Sequence, residues 1–111
     1  MIGSPVTKAA TNLVADPALR QPLGLLGLSG TRVTYSVHLL YATTGAPVAG
    51  AAVPIAVPGR PGCTATTNAA GTGVCSVTYP LFKDPDIFGS YGATFAGGSS
   101  SLPSGGSASL L

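Results

Sequence analysis

The chain has 111 residues and a formal net charge of +2, and only 7% of its residues are charged, where an average soluble domain has about 25%. So low a charge excludes a nucleic-acid-binding surface, which needs a basic stripe, and a helical bundle or coiled coil, which needs abundant Glu, Lys and Arg. With three Asp, no Glu and one His, but 16 Gly and 10 Pro, the chain is predicted to be a small, turn-rich domain with few groups for acid–base catalysis.

Strand patterns begin soon after the N-terminus. Residues 1–10 are predicted to be a flexible arm, and Thr11–Ala15 is predicted to be the first strand, which stops at Asp-Pro. The next segment, Pro17–Leu28, is rich in Leu but is interrupted by Pro and Gly. The segment therefore allows at most one helical turn, near Ala18–Gln21, followed by an extended piece.

The clearest strand is Thr31–Ala42, where apolar and polar residues alternate strictly. This period of two is typical of a strand with one buried face. The residues predicted to face the core are Val33, Tyr35, Val37, Leu39 and Tyr41, and those predicted to face outwards are Arg32, Thr34, Ser36, His38 and Leu40.

A second alternating strand is predicted at Ala52–Val57, between a turn at 43–47 and a loop at 58–62. Its inward residues are predicted to be Val53, Ile55 and Val57. Pro54 has no N–H to donate to a neighbour, so we expect this strand to lie at a sheet edge or to carry a bulge there.

The two cysteines fall in a predicted hairpin. Cys63–Thr67 and Gly73–Tyr79 are β-rich runs on either side of a turn at Asn68–Gly71, and a ladder centred on Ala69 places Cys63 opposite Cys75. This arrangement favours a disulfide over the alternative of two free buried thiols, and a structural zinc site lacks ligands. A disulfide implies an oxidising location.

The C-terminal third begins with a long connection at 80–89 and continues with a strand at Ser90–Ala96, whose inward residues are predicted to be Tyr91, Ala93 and Phe95. Residues 97–106 are Gly/Ser-rich and are predicted to be a turn region. Seven candidate strands with short turns predict an all-β fold, a Greek-key β-sandwich formed by residues 1–111 as a single domain.

Two groups of large apolar residues lie in connections. One group either caps the end of the core or forms an interface with a partner: Leu81, Phe82, Ile87 and Phe88. The same alternatives hold for Leu23, Leu25, Leu26 and Leu28.

Three segments together resemble one family. The run Thr44–Val53 resembles a "Gly-x-Pro-Val-Ala-Gly" strand–turn signature, 63–75 resembles a Cys-x11-Cys hairpin, and 91–104 resembles a closing "Tyr-x-Ala-Thr-Phe-Ala-Gly" segment. These are features of bacterial Ig-like domains of the actinobacterial type, which are secreted and surface repeat modules. The resemblance implies an Ig-like sandwich in which 99–111 returns as an edge strand. Asn68 and Gly98 stand where the family has Asp, so it implies no calcium site at those turns.

The remaining polar residues predict no catalytic, cofactor or metal site. His38 lies on the outward face of its strand, and no Gly-x-Ser-x-Gly nucleophile motif accompanies it. Asp84 and Asp86 offer too few oxygens for calcium, which takes six to eight ligands. We therefore expect a protein that is not an enzyme.

The function predicted from these observations is a structural or adhesive module of a secreted or cell-surface protein, acting as a spacer or an assembly unit. Its partners would be neighbouring Ig-like repeats, a second copy, or a surface or virion protein, with no nucleic acid and no membrane insertion. One alternative is a virion or filament decoration protein at the virion surface. The other alternative is a carbohydrate-binding module. The chain has no Trp, and Tyr35, Tyr41 and Tyr91 fall on faces predicted to be inward. Tyr79 is then the tyrosine left to stack against a sugar.

Overall fold

Eight strands form two antiparallel sheets that pack as a sandwich in this computed structural model, which describes residues 8–25, 28–81, 83, 89–98 and 100–110. The predicted all-β sandwich is confirmed, with one strand more than the seven expected. The strands are β1 (Thr11–Ala15), β2 (Leu19–Pro22), β3 (Thr31–Tyr41), β4 (Ala52–Val57), β5 (Arg60–Thr66), β6 (Thr72–Tyr79), β7 (Ser90–Phe95) and β8 (Ser104–Ser109).

The first sheet is built around β3. On one edge, β3 pairs with β6 over Thr31–His38. On the other edge of β3, β1 and β2 occupy successive stretches. β2 pairs with Thr31–Thr34, and β1 pairs with Val37–Tyr41. The sheet is therefore three strands wide along most of β3.

The alternation predicted for β3 is confirmed. Its inward side chains Val33, Tyr35, Val37 and Leu39 are completely buried, and the outward ones between them are partly exposed. A strand whose alternate residues are all apolar buries one face in the core and leaves the other at the surface, since successive side chains point to opposite faces.

The helical turn that the sequence allowed at Ala18–Gln21 does not form. Leu19–Pro22 is strand β2, whose residues pair in register with the first four residues of β3. The four residues are mostly exposed, so they carry no alternating pattern of their own. Their extended conformation comes from pairing with the edge of β3. Local strand propensity does not predict this pairing.

The second sheet has the order β5-β4-β7-β8, and Val53, Ile55 and Val57 face the core as predicted. Of the two alternatives expected at Pro54, the edge strand is wrong, because β4 pairs with β5 on one side and β7 on the other. The ladder with β7 contains only two pairs, Ile55 with Ala93 and Ala56 with Gly92, and so leaves Pro54 outside it. The register with β5 shifts between Ile55 and Val57, next to Pro54, which agrees with the alternative of a bulge.

The hairpin predicted to contain both cysteines divides between the two sheets, so their predicted opposition across one ladder is wrong. The turn itself is confirmed: the Asn68 side-chain Oδ1 accepts hydrogen bonds from the backbone N–H groups of Ala70 and Thr72, at 2.9 and 3.1 Å. Beyond an isolated bridge between Thr67 and Gly73, however, β5 continues beside β4 and β6 continues beside β3.

The C-terminal edge strand expected from the family resemblance is present as β8, which pairs with β7 over the full length of both. Ser104–Gly106, within the predicted Gly/Ser-rich turn region, form the first half of this strand. At the other end of the chain, the backbone N–H of Ala9 donates to the Ser100 carbonyl at 3.0 Å, and Ala9 forms a parallel bridge with Ser101.

Three buried tyrosines connect the two sheets through the core. Tyr79 donates its hydroxyl proton to the Pro61 carbonyl at 2.5 Å. The Tyr35 and Tyr79 hydroxyls are 2.8 Å apart, and Tyr35 is the donor in this contact because Tyr79 has only one proton to donate. Tyr91 packs edge-to-face against Tyr35 at 4.9 Å between ring centroids and donates to the Asp16 carbonyl. The hydroxyls of these large buried side chains thus have partners, as burial requires.

Alkaline pH is expected to destabilise the fold through these tyrosines. Burial, with the nearby Asp16 charge, raises the pKa of Tyr91 from 10.0 to about 12, and burial followed by the hydrogen bond to Tyr79 raises the pKa of Tyr35 above its usual range. Above pH 10 the unfolded chain loses tyrosine protons that the folded chain retains, so the free energy of unfolding falls as pH rises. Urea denaturation between about pH 8 and about pH 11 tests this, and the fall should be smaller in Tyr91→Phe. An unchanged urea midpoint across that range would contradict it.

Candidate functional site

The disulfide between Cys63 and Cys75 links the two sheets. Cys63 lies on β5, an edge of the second sheet, and Cys75 lies on β6, an edge of the first, with 6.2 Å between the two Cα atoms. Both cysteines are half-buried and pack against the core. The predicted disulfide is confirmed, but it closes one side of the sandwich instead of joining two strands of one ladder. We call this side the disulfide seam.

Hydrogen bonds close the opposite side, where β8 of the second sheet runs beside β1 of the first. The Thr11 hydroxyl lies 2.8 Å from both the Leu102 carbonyl and the Ser104 hydroxyl. Further along, the Ala18 N–H donates to the Ser109 carbonyl at 2.9 Å, and the Arg20 side chain donates to the Leu110 carbonyl at 2.7 Å. Contacts across both sides therefore hold the two sheets together.

One row of side chains on the first sheet has an arrangement that resembles a catalytic triad. His38 Nε2 lies 2.7 Å from a carboxylate oxygen of Asp16, and His38 Nδ1 lies 3.1 Å from the Thr72 hydroxyl. Because the carboxylate only accepts, Nε2 carries a proton and Nδ1 faces the hydroxyl. A triad has the same order of acid, imidazole and hydroxyl.

The surroundings of this row favour a structural role. The side chains of His38 and Asp16 are 39% and 44% exposed on an open strand face. Each member comes from a different part of the sheet: Asp16 follows β1, His38 is on β3 and Thr72 begins β6. The row therefore connects three neighbouring segments at the surface. The outward placement of His38 agrees with the alternation in its strand.

The partners of His38 could not be read from the sequence. Asp16 lies 22 residues before His38 and Thr72 lies 34 residues after it. Thr72 is opposite His38 only because β6 pairs with β3 in this register. No local spacing encodes that register, although the Asp-Pro that ends the first strand did place an acidic residue at the end of β1.

A cavity of about 450 Å³ lies at one end of the sandwich, between the segment that leads into β4 and the segment that follows β7. Its lining includes Tyr41, Val48, Phe95 and Ser101, and the rest is Ala, Gly and Ser. None of these lining residues is charged. The cavity is as large as a small-molecule site, and Tyr41, Ser100 and Ser101 are the lining residues with side-chain hydroxyls.

The predicted apolar interface lies mostly outside the described residues. Leu81 is described and is 40% exposed, while Phe82, Ile87 and Phe88 fall outside. In the second predicted apolar group, Leu25 and Leu28 are exposed and Leu26 falls outside. Whether the loop after β6 caps the core or contacts a partner therefore stays a prediction.

The tyrosine that remained for a sugar-binding platform is buried. Tyr79 is 1% exposed, and its hydroxyl contacts Tyr35 and the Pro61 carbonyl. Tyr79 shares the inward parity of Cys75 and Val77 on β6 and closes that end of the core, so it offers no exposed ring to a sugar. Tyr41 is half-buried and lines the cavity.

The described residues contain no group of three or more His, Cys, Asp and Glu side chains that could hold a metal ion. Asp84 and Asp86 lie outside them. Within the same described ranges, no helix is both long enough and apolar enough to cross a membrane.

Comparisons of the chain with protein-family models, with curated proteins and with solved structures find no match. Its function is therefore inferred from its sequence, its fold and the contacts within it.

Proposed function

We propose that this chain is a non-enzymatic structural module of a secreted or cell-surface protein, with an Ig-like fold, that acts as a spacer or assembly unit through contacts with other proteins. The observation that carries the proposal is the closure of the sandwich on both sides. A disulfide on one side and side-chain hydrogen bonds on the other give a small block whose two sheets cannot separate easily. Such a block suits a module that keeps its shape while it holds its neighbours apart.

The surface supports an interaction module better than an enzyme. The two outer sheet faces are made mainly of Thr, Ser, Ala, Gly and Val, and the cavity has no charged lining residue. The one row of side chains with catalytic chemistry, Asp16–His38–Thr72, lies on an open strand face and ties adjacent strands together. Catalysis needs groups placed around a substrate from which water is excluded, and an open face does not provide that.

The location rests on the disulfide and on the family resemblance. Disulfides persist in oxidising compartments such as the cell exterior, the periplasm and the virion surface. The segments at 44–53, 63–75 and 91–104 resemble bacterial Ig-like modules, which are secreted or displayed at the surface. Both arguments favour an extracellular protein.

Surface labelling of intact cells that make the chain tests this proposal. Lys8 and Lys83 are exposed, so an amine-reactive reagent that does not cross membranes should label the protein in intact cells. Alkylation of the same material without reductant should leave Cys63 and Cys75 unmodified, and prior reduction should expose both to the alkylating reagent. Mass spectrometry of the labelled peptides reads both results.

The matched control is a cytosolic protein from the same cells, which should be labelled only after lysis. If this chain is also labelled only after lysis and both cysteines alkylate without reductant, the proposal of an extracellular module is wrong.

A further inference from the structure

The outer face of the first sheet carries three exposed aliphatic side chains close together. Leu19, Val74 and Val14 are 67%, 53% and 52% exposed. They lie opposite Thr34, Ser36 and His38, which are three successive outward positions of β3. Outward positions along a strand repeat about every 6.6 Å, so the three aliphatic side chains fall within about 13 Å of one another along β3. We call this surface the β3 face.

The other outer face contains nothing comparable. The outward positions of β4, β7 and β8 hold only Ala, Gly, Pro, Ser and Thr, among them Ala56, Thr94 and Ser107. The remaining large apolar side chains exposed in the described residues, such as Leu25, Leu81 and Leu102, lie in connections between strands. Protruding aliphatic groups on a sheet surface are therefore confined, among the described residues, to the β3 face.

The β3 face also lacks a charge pattern that would select a charged partner. Its described formal charges are Arg32 at one end and Asp16, whose carboxylate is paired with His38 at 2.7 Å. Charged patches steer oppositely charged partners together and repel like ones. A nearly neutral face neither attracts a strongly charged partner nor repels an identical copy of itself.

The size of the β3 face fits a weak but specific dimer. Three strands spaced by about 4.8 Å and eleven residues rising by about 3.3 Å each cover about 500 Å². Two such faces in contact bury about 1,000 Å², which is the lower limit for a specific interface. Two identical sheets also have the same twist, so they can pack face to face with aligned strands.

We propose that the β3 face binds the β3 face of a second copy of this chain, with two-fold symmetry. This inference rests on the proposed function, because it names a partner for the interaction module. In a two-fold interface every residue occurs twice, so each aliphatic group contacts the partner's sheet and is contacted in return. Burial of Leu19, Val14 and Val74 supplies the apolar contact, and the hydroxyls of Thr34 and Ser36 lie between them.

Sedimentation over a concentration series up to the solubility limit tests the dimer. The unmodified chain should shift from monomer to dimer as concentration rises. Val14→Lys places two like charges in the interface and should weaken dimerisation by about tenfold or more. Val74→Lys, on another strand of the same face, should do the same, so that the test does not depend on one variant folding.

The matched control is Thr94→Lys, which adds the same charge at an exposed position of the opposite sheet. It should leave dimerisation unchanged. A chain that stays monomeric at every concentration would overturn the inference, as would a dimer that Thr94→Lys weakens while Val14→Lys and Val74→Lys do not. A monomeric chain that captures a different protein through Val14 would also overturn it. None of these results bears on surface labelling or cysteine oxidation, which test the proposed function separately.

Discussion

Replacing Cys63 and Cys75 together by alanine is expected to lower the free energy of unfolding by about 3 kcal/mol, which is the chain-entropy value for a loop of this length. Domains of this size are stable by roughly 5–15 kcal/mol, so the loss is a large fraction of the total. The melting temperature should fall by about 10 °C or more.

The position of the bond also gives it a role between the two sheets. Within a single ladder, a disulfide would duplicate a register that backbone hydrogen bonds already fix. Here Cys63 and Cys75 lie on edge strands of different sheets, and beyond the bridge between Thr67 and Gly73 the two strands pair elsewhere. The disulfide is therefore a principal link between the sheets on its side, together with the bond from Tyr79 to the Pro61 carbonyl.

Chemical denaturation of the oxidised protein, the reduced protein and the double variant measures this effect. The reduced protein and the variant should unfold at similar midpoints, both below that of the oxidised protein. The reduced protein serves as the control because it lacks the bond but keeps both side chains. Equal midpoints for all three forms would mean that the disulfide adds nothing to stability.

Gly30→Ala is expected to destabilise the fold by roughly 3–4 kcal/mol, the sum of a backbone cost and a packing cost. Gly30 has a φ of 105°, a conformation that side chains with a Cβ rarely adopt. A Cβ there would also lie 2.2 Å from the backbone carbonyl oxygen of Tyr79. This oxygen belongs to the end of β6, which pairs with β3 at Thr31, so it cannot move away without disturbing the ladder.

Gly45→Ala is the matched control for this variant. Gly45 also has a positive φ, of 72°, but a Cβ there meets no atom within 4 Å. Gly45→Ala should lower the free energy of unfolding by about 1 kcal/mol, because of the backbone conformation alone. The difference between the two variants in urea denaturation measures the contact with Tyr79 together with the extra backbone cost of a φ of 105°, and equal losses would show that both are relieved at little cost.

Local alternation was enough to predict the strands that bury a face of their own. β1 was predicted with its observed bounds because its run stops at Asp-Pro, whereas the inward residues of β3, β4 and β7 followed from their period of two. In β3, β4 and β7 the predicted inward residues are apolar and follow one another at every second position, so burial and pattern agree.

Pairing between distant segments was the part that could not be predicted. Leu19–Pro22 is a strand because β3 lies beside it, although the residues themselves are mostly exposed. The segments around Cys63 and Cys75 were correctly identified as strands, but a short turn between two strands does not specify that they stay in the same sheet. The Asp16–His38–Thr72 row depends on the registers of two long-range pairings, and no spacing in the sequence contains them.

The disulfide seam also sets how far the domain can be stretched. When a domain is pulled apart by its two ends, each freed residue adds about 3.6 Å of chain. Cys63 and Cys75 are 12 positions apart in the sequence. While the disulfide joins them, the residues between them add nothing to the length of the stretched chain. The extended chain is then shorter by roughly 40 Å when the bond is present, so oxidation limits the length of the stretched domain and a reductant increases it.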